Sequence, residues 1–176
     1  MNLATHIPSD ASTLATEHVA ALSPFTVRRT VRWAECDPAG VVYLGNFPHY
    51  LLSAVHLFRD RLFGVGWIGN DLAHGYQAPG KALSMVFRSP LWPDDQFDMR
   101  VYVGNLRTRT MDLLVHAGRL DSGEDVFFGR VTSIFVKSSD RRSAIGIPDD
   151  IRRRLDDYRS ANPTPSALAN ALREPQ

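Results

Sequence analysis

Trp33-Ala34-Glu35-Cys36-Asp37-Pro38-Ala39-Gly40-Val41-Val42-Tyr43 runs directly into an apolar helical pattern. The stretch sets one carboxylate, Asp37, on a Pro- and Gly-stiffened loop between a strand-like segment and a helix start. Helix starts present unpaired backbone N–H groups and a partial positive charge. A carboxylate held beside such donors can attack a carbonyl, or activate water against it, while the donors polarise its oxygen. Asp-Pro followed by Ala-Gly is equally an ordinary turn, with Asp bonded to the local backbone and Gly supplying a positive φ. What flanks the loop has to separate the two readings.

Upstream, Phe25 to Trp33 alternates, with Phe25, Val27, Val31 and Trp33 on one side and Thr26, Arg28, Thr30 and Arg32 on the other. A period of two rich in β-branched residues predicts a strand with one wet face. Downstream, Phe47, Tyr50, Leu51, Ala54, Val55, Phe58 and Leu62 recur at three- and four-residue spacing, the stripe of a core-facing helix. Leu52 and Leu57 widen the apolar surface, so the helix is expected to be more than half enclosed. Pro48 is tolerated only in a first turn, which puts the N-cap near Gly45 or Asn46. The amides of Leu44 to Phe47 are then left without helical partners, and Gly64 and Gly66 end the helix.

Four more strands follow: Ala82 to Ser89, Phe97 to Val103, Met111 to Leu120 and Val126 to Lys137. Asp121 to Asp125 is the hairpin loop between the last two. A terminal helix starts near Asp149 with Ile151, Leu155 and Tyr158 as its stripe. One long apolar helix beside about five antiparallel strands predicts an α+β domain over 25–159, a sheet wrapped around the helix, with open edges that invite self-association. Residues 1–24 read as a flexible Ser/Thr/Ala-rich extension with helical tendency over Leu14 to Leu22, and 160–176, with Pro163, Pro165 and Pro175, as a flexible tail.

Composition narrows the function. With 176 residues, 44% of them apolar, the chain can bury a real core. Twenty basic against nineteen acidic side chains give a net charge of +1, which argues against a nucleic-acid binder. The single cysteine excludes an internal disulfide framework and a multi-cysteine metal site, and fits a reducing cytoplasm. No apolar run approaches the ~20 residues of a membrane span, and Met1 to Pro24 does not resemble a secretory signal. No HExxH, CxxC or carboxylate cluster appears, so no metal is expected.

Cys36-Asp37-Pro38-Ala39-Gly40-Val41-Val42, then Asn46-Phe47, then the long helix, resembles the hotdog-fold acyl-CoA thioesterases, specifically the 4-hydroxybenzoyl-CoA thioesterase family. The resemblance spans roughly Phe25 to Tyr158. It implies that Asp37 is the catalytic carboxylate, as nucleophile or as general base. It implies that the backbone amides of Leu44 and Gly45 polarise the thioester carbonyl. Gly40, Tyr43 and Asn46 are then substrate-binding, and Arg107 and Arg109 hold the phosphates of coenzyme A; Arg141 and Arg142 are further candidates. Arginine meets phosphate through a planar fork, although strand-end arginines are also commonly just solvated. Leu44 stands where the best-known aroyl enzyme has an aromatic side chain, which leaves the amide's role intact and the acyl group open.

The expected reaction is hydrolysis of an acyl-CoA thioester, with a hydroxybenzoyl-like acyl group as one candidate, to free acid and coenzyme A, with no cofactor beyond the coenzyme A of the substrate. Phe47, Tyr50 and Trp67 are candidate pocket walls. The expected partners are the acyl-CoA and further copies of the chain, as dimer or tetramer, with no nucleic acid and no membrane. Two rivals remain open: a thioesterase acting on carrier-protein-bound acyl groups, and a non-catalytic acyl-CoA-binding hotdog protein.

Overall fold

A computed structural model describes residues 15–64, 75–140 and 142–172. Gly66, Trp67 and Arg141, and the ends of the chain with Leu14 and Pro175, lie outside the described residues. The main strands are β1 (Glu17–Leu22), β2 (Phe25–Thr30), β4 (Gly80–Phe87), β5 (Gln96–Leu106), β6 (Thr110–Arg119) and β7 (Asp125–Ile134). They form one antiparallel sheet in the order β1-β2-β5-β6-β7-β4. Two short strands, β3 (Tyr76–Gln77) and β8 (Val136–Lys137), pair separately.

The alternation read from the sequence supplies the inner face: Phe97, Met99, Val101 and Val103 on β5 and Met111, Leu113, Val115 and Ala117 on β6 are all buried. Helix α1 (Phe47–Phe63) lies across that face and buries the expected Phe47, Tyr50, Leu51, Ala54, Val55 and Phe58. It runs along β7: Phe47 meets Phe127 at 6.0 Å. One turn on, Leu51 fills the space over Gly129, where a Cβ would come within 2.7 Å of Leu51 Cδ1. Two turns further, Arg59 reaches Ser133. Gly64 ends α1 at φ 106°, a backbone that favours glycine.

The sixth strand corrects the N-terminal expectation. Glu17–Leu22 is neither helical nor loose; it pairs with β2, Val19 opposite Val27. Ladder bonds to a sheet edge override the weak helix propensity of an Ala-rich segment. Trp33 also departs from expectation: the strand stops at Thr30, Trp33–Glu35 forms a 3₁₀ turn, and the indole is 72% exposed. The strand expected from Val126 to Lys137 breaks at Phe135, whose N–H turns to Arg109 O, and restarts as β8.

The tail is also ordered where described. After α2 (Asp149–Ala161), helix α3 (Ser166–Ala171) folds back over the outer face of the sheet. There Leu168 and Leu172 pack on Tyr102, Leu114 and Phe128, a second apolar cluster on the side opposite α1. Apolar residues at outward positions of β5, β6 and β7 needed this cover. Among the described residues no helix is long and apolar enough to cross a membrane.

Candidate active site

Everything from Glu35 to Phe47 is tied into one structure. Cys36 bridges Val42. Asp37 N–H donates to Val41 O at 2.9 Å and Gly40 N–H donates back to Asp37 O at 2.9 Å. Gly40 sits at φ +79°, which the tight reversal requires. Asp37 Oδ1 accepts Ala39 N–H at 2.8 Å, so the turn reading is correct for that oxygen. Oδ2 has no partner among the described residues, and Asp37 is half-buried. The turn therefore orients the carboxylate and leaves one oxygen free for chemistry.

The helix start is narrower as a donor set than expected. A 3₁₀ turn over Leu44–Asn46 precedes α1, so Asn46 N–H bonds Tyr43 O at 2.9 Å and Phe47 N–H bonds Leu44 O. The amides of Leu44 and Gly45 alone remain without an acceptor among the described residues. They are not buried: Leu44 is 59% exposed and Gly45 is exposed. The sheet covers α1 from Phe47 onwards and stops short of the 3₁₀ turn before it. The Tyr43 ring lies across Gly45, where a Cβ would stand 2.4 Å from Tyr43 Cε1. Asn46 serves the loop: its Nδ2 donates to Glu35 O at 2.7 Å, beside Tyr43 N–H at 2.9 Å.

A buried ionic cluster beneath the loop went unread in the sequence. Arg29 donates to Glu17 at 3.0 Å and to Glu35, and its guanidinium lies 4.5 Å from the Tyr50 ring centre. Ser53 donates to Glu17, and Arg32 N–H donates to Glu35 at 2.8 Å. Burial works to lower the Arg29 pKa, but the Glu35 and Glu17 carboxylates outweigh it and hold the group above its ordinary value. Burial, then the nearby Glu35 charge, pushes the Tyr50 phenol well up. A signal was present: Arg29 has the parity of Phe25, Val27 and Val31, so it interrupts the core face of its own strand.

Arg107 and Arg109 are not brought to Asp37 within one chain. Phe47 marks the Asp37 end of the sheet, near Phe127 and its partner Ala117. The arginines sit on the β5–β6 turn beyond Thr110, about 24 Å away along β6. Arg107 bonds the buried Asp112 at 3.0 Å. Beside it a cavity of about 590 Å³ is lined by Arg107, Thr108, Ile147 and Arg152. Another, of about 620 Å³, lies on the outer face between Arg107, Arg130, Arg159 and Leu172, across the sheet from α1. Arg142 is exposed. Among the described residues no three His, Cys, Asp or Glu side chains converge as a metal site.

An antiparallel sheet curved around one long helix, with a clamped carboxylate loop at the helix start, defines the hotdog fold. The sequence profile of the thioesterase-like superfamily matches residues 31–155, and the chain belongs to that superfamily. No curated protein sequence matches the chain. A thioesterase-superfamily structure from Jannaschia sp. is similar over 76% of this chain and 91% of its own, at 25% identity and TM-score 0.68. The 4-hydroxybenzoyl-CoA thioesterase of a Pseudomonas strain matches over 73% and 96%, at 19% identity and TM-score 0.65. A Staphylococcus aureus hypothetical protein solved in complex with CoA matches over 92% and 98%, at 16% identity and TM-score 0.73.

Proposed function

We propose that the protein is an acyl-CoA thioesterase, releasing a free acid and coenzyme A, with Asp37 as the catalytic carboxylate. The observation that carries this reading is the pairing of a clamped carboxylate, Oδ2 free, with two unpaired amides at Leu44 and Gly45 on the same short segment. The thioester oxygen accepts from those amides, which is worth about 3–4 kcal/mol as negative charge develops. Asp37 either attacks the carbonyl carbon itself or takes a proton from water as the water attacks. In the first route the C–S bond breaks to expel the coenzyme A thiolate, leaving a mixed anhydride that water hydrolyses to the free acid and the regenerated carboxylate. In the second route the tetrahedral intermediate collapses, the C–S bond breaks, and the proton leaves with the thiolate as coenzyme A.

The site is completed by a second copy. β4 is an open edge, and identical strands pair antiparallel about a two-fold axis. That pairing brings the β5–β6 turn of one copy to the end of the sheet holding the other's Asp37. Arg107 and Arg109 of one subunit then serve the phosphates of a coenzyme A whose thioester lies at the other's helix start. Phe47, in edge contact with Phe87 at 5.2 Å and with Phe127 at 6.0 Å, offers with them an aromatic wall to the acyl group. We place the enzyme in the cytoplasm, where the free thiol of Cys36 stays reduced.

A thiol-release assay with aromatic and aliphatic acyl-CoAs, run beside Asp37→Asn, tests the reading. Turnover that falls by orders of magnitude in the variant is the expected result. A variant with near-full activity overturns the role of Asp37. Binding of the same esters without turnover assigns the chain to acyl-CoA binding instead.

A further inference from the structure

Arg59 is a charged residue of α1 that the proposed chemistry does not use. It projects from the fourth turn between the helix and the sheet, where a single guanidinium N–H donates to the fully buried Ser133 Oγ. Its Nε is buried without an acceptor, and no carboxylate pairs with it among the described residues. Burial alone pushes its pKa down to about 10, still charged at neutral pH. Arg59 is only partly exposed, and a largely desolvated cation with no counter-ion among the described residues carries a cost that an anion would relieve.

The surroundings say where the anion enters. Ser133 lies opposite Gly80, the first residue of the open edge strand, and a Cβ on Gly80 would meet nothing within 4 Å. Between that gap and the helix start, Leu83 and Phe87 of β4, each 43% exposed and paired with Val131 and Phe127, form an apolar seam that ends where Phe87 meets Phe47 at 5.2 Å. The seam is hydrophobic along its length and cationic at one end.

We infer that Arg59 and Ser133 form a carboxylate-binding site for the far end of the acyl group, so that the preferred substrates are CoA thioesters of dicarboxylic acids. Arg59 supplies charge and its unused N–H donors, and Ser133 its O–H; the apolar seam takes the methylenes. The inference rests on the thioesterase reading for the ligand's identity, and its test separates the two. Because Arg59 lies twelve residues, about 18 Å, along α1 from Phe47, chain length is scanned with matched long pairs: dodecanedioyl-, tetradecanedioyl- and hexadecanedioyl-CoA against dodecanoyl-, tetradecanoyl- and hexadecanoyl-CoA. kcat/KM is measured for the wild type, Arg59→Met and Arg59→Lys, and Kd by calorimetry in Asp37→Asn with and without Arg59→Met.

The expected result is a preference of about tenfold or more for the diacid ester at one length, abolished by Arg59→Met and partly kept by Arg59→Lys. Hydrolysis of both members of every pair at equal kcat/KM overturns the Arg59 site and leaves the thioesterase reading standing. Preferential binding of the diacid ester without hydrolysis supports the site and overturns the role of Asp37. A preference that survives in Arg59→Met, or a variant that falls to monomers while keeping it, assigns Arg59 to the subunit contact and overturns the site. No binding of any ester overturns both.

Discussion

Asn46 Nδ2 donates to Glu35 O at 2.7 Å, so the residue that opens the central helix holds the residue that opens the Asp37 loop. Tyr43 N–H reaches the same carbonyl. Loop and helix start therefore move as one body, and the distance from Asp37 to the amides of Leu44 and Gly45 is set by this clamp. Its rigidity is what a preorganised oxyanion site requires.

Asn46→Ala removes the clamp and little else. The Tyr43 bond to Glu35 O survives, so the lost hydrogen bond costs about 1 kcal/mol in stability. Turnover is expected to fall further, by about ten- to a hundredfold, because a small misplacement of reacting groups costs that much. Thermal melts beside kcat decide it: a fall in kcat no larger than the loss of folded protein makes Asn46 a purely structural residue.

Arg29→Met strands two carboxylates, Glu17 and Glu35, in a largely buried site. Breaking a buried pair from one side costs about 3–5 kcal/mol. The triple change Arg29→Met, Glu17→Gln, Glu35→Gln is expected to recover a large part of that loss, because it removes the charges rather than their partner. Urea denaturation of both variants tests this. Equal stabilities would mean the carboxylates relax into water at no cost.

The contrast between Val27 and Arg29 explains what was legible in the sequence. Val27 follows from alternation, as do the α1 stripe, the β5 and β6 faces and the Asp37 loop, because burial imposes a period on apolar residues. Arg29 has the same parity, but its partners Glu17, Glu35 and Tyr50 lie on three separate elements, and no local period encodes such a meeting. β1 was missed for a related reason: an edge strand short of β-branched residues is fixed by its neighbour's ladder. The separation of Arg107 from Asp37 likewise depends on strand order, which the pattern of a single strand does not carry.

Gly129→Ala tests how α1 is seated. A Cβ there would stand 2.7 and 2.8 Å from the two Leu51 methyl carbons, on a side chain that is fully buried. Overpacking of this kind costs about 1–3 kcal/mol. The compensating pair Gly129→Ala with Leu51→Ala should be less destabilised than the sum of the single changes, since they share one contact. Strict additivity in a denaturant double-mutant cycle would show that the helix shifts freely over β7.

Tyr158 joins α2 to the sheet in both directions: its hydroxyl accepts Phe25 N–H at 2.7 Å and donates to Val101 O at 2.8 Å. Burial raises its pKa to about 12, against the opposing pull of the Phe25 N–H, with Tyr102 adding to the rise. The folded pKa lies above the unfolded value near 10, so the native state binds this proton more tightly. The stability it contributes is fully present below pH 10 and is lost as pH rises towards 12. Tyr158→Phe strands the Phe25 N–H and costs about 1–3 kcal/mol at neutral pH. The variant should also show a shallower loss of stability between pH 10 and 12, because Tyr50 and Tyr102 still titrate while position 158 cannot. Chemical denaturation at pH 7, 10 and 11.5 reads both effects. Parallel curves for wild type and variant would mean that the Tyr158 hydroxyl ionises as freely in the folded chain as in the unfolded one.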